Sequence, residues 1–170
     1  MQVLQPNGAP ISLPSSTSAT IPSATAGAGF HMATLPVAGT YTVVITPSNI
    51  ATGTISVTLW RDVPDPLTIG TPYSLSIPFR NQVARLTFAG TAGDALALNL
   101  SNVTFPGGGT VQVFHPTLSN IGLPVVGTAN FTTAGGVITF ATLPGTATYT
   151  VVITPSASGI GGATVTVFRR

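Results

Sequence analysis

Side chains able to carry chemistry are few in this 170-residue chain. The acids are Asp62, Asp65 and Asp94, the histidines are His31 and His115, and the cations are arginines at 61, 80, 85, 169 and 170, with no Lys, Glu or Cys. Three carboxylates, two from the Asp62–Asp65 stretch and one from the loop at Asp94, could hold a calcium ion through oxygen ligands. The plainer alternative is that Asp62 and Asp65 keep a linker solvated while Asp94, in Ala-Gly-Asp, caps a turn. Beyond that possible calcium, no cofactor is expected. Isolated histidines usually serve as ordinary core or surface residues, and no Gly-x-Ser-x-Gly elbow presents a serine to them, so no enzyme is expected. Without cysteine, thiolate metal sites and disulfides are excluded.

Other motifs divide in the same way. Gly107-Gly108-Gly109 lacks the following lysine and helix start of a phosphate cradle and reads as a turn. Trp60, Tyr73 and Phe168 could form an aromatic platform for a carbohydrate partner, but each also fits a strand that buries its ring. Asn99, Asn102 and Asn130 open glycosylation sequons, which chance supplies readily in a chain so rich in Ser and Thr. The formal charge of +2 comes from so few groups that no basic patch forms for nucleic acid. No apolar run approaches the ~18 residues of a transmembrane segment. The opening MQVLQPNGAP lacks the charged and apolar regions of a signal peptide, which leaves a removed leader or an internal piece as alternatives. A surface this poor in charge is ill suited to staying monomeric, so a homo-oligomer or adjacent copies of the same repeat are the expected partners.

What must position these residues is strand. Glycine (19), proline (15), Ser, Thr and β-branched residues dominate, which suits short strands joined by turns and leaves little material for helix. ATLPVAGTYTVVITPSNIATGTISVTLW at 33–60 recurs without a gap as ATLPGTATYTVVITPSASGIGGATVTVF at 141–168, identical at 16 of 28 positions. Tyr41, Val43 and Ile45 alternate with Thr42, Val44 and Thr46, and Ile55, Val57 and Leu59 alternate with Ser56, Thr58 and Trp60. With Pro47 and a turn between them, the two runs predict a hairpin with one wet face. The second copy repeats it through Tyr149, Val151 and Ile153, then Ala163, Val165 and Val167. Each tyrosine can bond back to a nearby backbone carbonyl, as the corner tyrosines of Greek-key sandwiches do.

The opening MQVLQPNGAPISLP also matches VQVFHPTLSNIGLPV, with Met1 opposite Val111 and Pro6 opposite Pro116. Asn7-Gly8 reads as a tight turn, Ile11 and Leu13 as a short strand, and 15–29 as a connection ending at Phe30. Strands are expected at 31–35, 40–46 and 54–60. Two prolines and paired acids mark 62–67 as a linker. Beyond it, Leu75, Ile77 and Phe79 share a face with Tyr73, and Ala84, Leu86, Phe88 and then Leu96, Leu98, Leu100 line buried sides. These last strands have no counterpart in the first half. The chain therefore reads as all-β, in tandem antiparallel β-sandwich, jelly-roll-like modules: a partial module over 1–61, a linker over 62–67 and a complete module over 68–170.

NQVARLTFAGTAGD and the later FATLPGTATYTVVITPSASGIGGATVTV resemble the tandem β-sandwich repeats of large secreted or surface-exposed bacterial proteins, including those with rearrangement-hot-spot repeats. The stretch is similar also to the bacterial pre-peptidase C-terminal domain. The resemblance spans 68–170 and, more partially, 1–60. It implies a non-catalytic, extracellular or cell-surface module, a stalk or self-assembling fibre subunit, or else a carbohydrate- or protein-binding accessory module of a secreted enzyme. About 40 residues at the start of module one have no match, so that module is expected to begin in mid-fold. Either the boundary runs through a longer repeat array, or a neighbour supplies the absent strands by β-augmentation, or module one is simply a smaller sandwich.

Overall fold

The computed structural model describes residues 2–11, 32, 35–47, 52–117, 126–156 and 159–170. His31, Leu13, the connection 15–29, Phe30, most of the strand expected at 31–35 and the turn at 48–51 lie outside the described residues. The chain divides into two compact units, Met1–Thr58 (unit one) and Leu59–Arg170 (unit two).

Among its described residues unit two holds eight strands: β3 (Tyr73–Ile77), β4 (Ala84–Gly90), β5 (Leu96–Ser101), β6 (Gly109–Phe114), β7 (Gly127–Phe131), β8 (Gly136–Thr139), β9 (Ala147–Pro155) and β10 (Gly161–Arg169). They form two four-stranded antiparallel sheets, ordered β3-β10-β5-β8 and β4-β9-β6-β7. Apart from β6 and β7, every consecutive pair belongs to opposite sheets. Eight strands wound alternately into two sheets in this order make a jelly roll. The alternating faces account for the winding. In β4, Ala84, Leu86 and Phe88 point inward, and in β10 Ala163, Val165 and Val167 do the same from the facing sheet. Together with Leu98, Leu100, Val111, Val113, Val151 and Ile153 they form one core, each buried Val, Leu, Ile or Phe contributing about 1.5–3 kcal/mol.

The hairpin expected from 149–153 and 163–167 is not made. β9 pairs with β4 and β6, β10 with β3 and β5, and the chain crosses from one sheet to the other between them. Alternation with a period of two fixes which side of a strand is apolar but leaves open which sheet it joins. The triple glycine turns the chain into β6, as expected, with Gly109 already its first residue. Gly108 has φ +70°, and a Cβ there would lie 2.0 Å from the carbonyl oxygen of Phe131.

Residues 62–67, read from the sequence as a linker, run parallel to β4. Val63 and Leu67 donate backbone hydrogen bonds to Val83 and Thr87, and the carbonyls of Val63 and Asp65 accept from Arg85 and Thr87. Leu67 is buried in the core. Pro64 and Pro66 alternate with the bonding residues and have no N–H to offer on the outer side, so this segment closes the edge of β4 to further pairing.

Unit one contains β1 (Gln2–Leu4) and β2 (Thr42–Val44), paired antiparallel. Asn7-Gly8 turns the chain as expected, with Gly8 at φ +84° and Asn7 Oδ1 accepting from the Ala9 N–H. The strand expected at 54–60 does not form: 52–60 carries no ladder, and Ile55 and Val57 are exposed. Leu143 in unit two is buried, whereas Leu35, its counterpart in the repeat, stands half in solvent. Leu143→Ala should therefore cost about 2–5 kcal/mol in urea unfolding, and Leu35→Ala less than about 0.5 kcal/mol. Equal losses would contradict the asymmetry between the two copies.

Candidate functional site

The three carboxylates do not converge. Asp62 receives Arg85 Nε at 2.7 Å, an ion pair that ties the start of the 62–67 segment to the outer face of β4. Asp65 accepts the hydroxyl of Tyr73 at the head of β3. Asp94 serves its own turn, accepting the Thr91 N–H at 3.1 Å while Arg169 Nε reaches its other oxygen at 3.3 Å. Its carboxyl is held below the usual range, first by the Thr91 hydrogen bond and then by Arg169. The turn-capping expectation thus describes Asp94, and Asp62 and Asp65 brace the docked segment instead of solvating a free one. Among the described residues no group of three or more acids and histidines is close enough to hold a metal.

His115 is buried beside β6, its ring set edge-on to Tyr149 at 5.2 Å, and its Nδ1 accepts the Thr117 N–H at 3.2 Å. Tyr149 also stacks on Phe88 at 5.4 Å, and its hydroxyl donates to the Gly145 carbonyl at 2.6 Å. In unit one Tyr41 donates to the Val37 carbonyl at the same distance and the same separation of four residues. Val37 and Tyr41 are the repeat counterparts of Gly145 and Tyr149, so both corner tyrosines bond back as the sequence allowed.

The aromatic platform is not assembled. Tyr73 lies opposite Val165 on β10 and shares the inward parity of Leu75 and Ile77, whereas Phe168 has the outward parity of Thr164 and Thr166. Trp60 instead stacks on Phe79, with ring centroids 5.9 Å apart and planes 14° from parallel. Phe79 is half exposed, which makes this pair a surface feature that strand parity at Phe79 did not reveal. Asn102 and Asn130 are exposed and Asn99 partly so; Asn102 Nδ2 also donates to Thr164. No helix of the described residues is long and apolar enough to cross a membrane.

No family model and no curated protein matches this chain, so the resemblance to secreted tandem repeats rests on the quoted residues alone. Among solved structures, the chain is similar to a periplasmic inhibitor of g-type lysozyme from Aeromonas hydrophila, with a TM-score of 0.51 and 12% identity over 65% of this chain and 98% of that one. At that identity the likeness concerns the fold.

Burial, then the hydrogen bond to Asp65 and its charge, push the Tyr73 hydroxyl from 10.0 up to about 12. The folded state holds this proton more tightly than the unfolded chain. Its contribution is whole below pH 10 and is lost as pH rises through about 12. In urea titrations the stability advantage of wild type over Tyr73→Phe should shrink across that window. A difference that stays flat from pH 9 to 12 would show that the phenol's ionisation is not coupled to folding.

Proposed function

We propose that the chain is a non-catalytic structural module of an extracellular or cell-surface protein, a stalk or fibre element whose first unit is completed by its neighbour. The observation that carries this reading is how the scarce ionic groups are spent. Each acid braces a different loop or edge, and the buried histidine packs against the corner tyrosine, so these groups serve rigidity. The outward positions of the strands support the same reading: Ser74, Ser76, Thr87, Thr128, Thr148 and Thr164 offer hydroxyls where most soluble domains carry Lys and Glu. The extracytoplasmic location draws on the resemblance to secreted repeats and on a structural neighbour that is itself periplasmic.

A second reading is an accessory binding module, favoured by the half-exposed Trp60–Phe79 stack, which could face a sugar ring, and by a structural neighbour that is an inhibitor of g-type lysozyme. Intact mass of the protein from its native source, taken beside electron micrographs of the same sample, separates the two. The structural reading expects regularly repeating stalks or filaments. Discrete particles that retain an oligosaccharide, with retention lost in Trp60→Ala, would sink it in favour of the binding module.

A further inference from the structure

Unit one reproduces one half of unit two, pair by pair. Gln2, Val3 and Leu4 correspond in the repeat to Gln112, Val113 and Phe114 of β6, and Thr42, Val43 and Val44 to Thr150, Val151 and Val152 of β9. β1 and β2 pair as Gln2 with Val44, Val3 with Val43 and Leu4 with Thr42. β6 and β9 pair as Gln112 with Val152, Val113 with Val151 and Phe114 with Thr150. The register is the same, and so is the corner tyrosine beside it. A slip of one residue would have exchanged every inward and outward side chain.

The differences lie where β3, β4 and β5 act in unit two. There β4 pairs with the other edge of β9, and β3 and β5 flank β10. Residues 68–108, which supply those three strands, have no counterpart elsewhere in the chain. Among the described residues, 53–58, the unit-one counterparts of the first part of β10, therefore have neither flank, which explains why a run as strand-like as 54–58 forms no ladder. The same absence uncovers a face. Val43 is 45% exposed where Val151 is 0%, Ile55 54% where Ala163 is 5%, and Val57 58% where Val165 is 0%. In unit two the equivalent outer edge of the sheet is closed by the proline-bearing 62–67 segment on β4.

Resting on the reading as a structural module, we propose that unit one is an acceptor for a three-strand segment of the β3–β5 type. One strand would add to the open edge of β2 and two would flank 53–58, with alternating Leu, Ile and Phe covering Val43, Ile55 and Val57. The β3–β5 set at 68–108 is already engaged in unit two, and lending it elsewhere would open that unit. The donor is a polypeptide segment with a set to spare, apolar on the inward face and rich in Ser and Thr on the outward one.

The test fuses a duplicate of residues 59–110 ahead of Met1 in the full chain and follows amide hydrogen exchange by mass spectrometry. Peptides covering 41–46 and 53–60 should exchange at least ~1000-fold more slowly than in the unfused chain, approaching the protection of 149–154 and 161–168. Protection should vanish when the duplicate carries Leu86→Asp and Leu98→Asp. A second fusion with Ile55→Ala gives unit one the inward side chains of β10, since Val57 already matches Val165, and removes misfit as an explanation. If 41–46 stays open in both fusions while 149–154 remains protected, the proposal is overturned. It is overturned equally if the unfused chain already protects 41–46, whether in dilute solution or on forming a dimer at high concentration. Either failure leaves the micrographs able to judge the stalk reading on their own.

Discussion

A strand with one apolar face needs an opposite sheet to cover that face and, where it lies inside a sheet, a hydrogen-bonded neighbour on each edge. That constraint decides what is folded in this chain. In unit two it is met throughout the core: β9 lies between β4 and β6, β10 between β3 and β5, and the inward rows of the two sheets bury one another. The exposed edge of β4 is met by the 62–67 segment, whose prolines present no donor to a stranger. Tyr149 joins these conditions at one point, packed between Phe88 and His115 while its hydroxyl pins the turn at Gly145. In unit one the same tyrosine geometry and the same β1–β2 register exist, but among the described residues β2 is paired on one edge alone.

Much of this was legible in the residues. Parity at Ala84, Leu86 and Phe88, and at Leu96, Leu98 and Leu100, gave the buried faces directly, because no other period fits those runs. The repeat places both corner tyrosines at equivalent positions. The pairing of β9 with β6 instead of β10 was not legible, since a turn of Pro, Ser and Gly serves a hairpin and a sheet-to-sheet crossing equally well. The 62–67 stretch misled for a related reason. Prolines interrupt a strand pattern, yet an edge segment needs donors on one side only, and there the prolines fall on the side that needs none.

The chemistry-bearing residues follow the same division. Asp94 was readable because its partner Thr91 lies three residues away within one turn. Asp62 with Arg85, and Asp65 with Tyr73, are joined through the docking of a segment on a strand, and nothing local in the sequence announces a partner 23 residues off. The Trp60–Phe79 stack depends in the same way on how the chain returns past β3. Each of the three acids in this chain ties down a turn or an edge segment.

The central claim is that only unit two satisfies the covering constraint in the isolated chain, and scanning calorimetry tests it most directly. Unfolding enthalpy near 60 °C scales as about 0.7 kcal/mol per residue that folds cooperatively. Unit two alone, roughly 110 residues, predicts one transition of about 75–80 kcal/mol by that scaling. A single transition near 120 kcal/mol, the value for about 170 residues, would mean that unit one is folded and covered as fully as unit two, and would contradict the account.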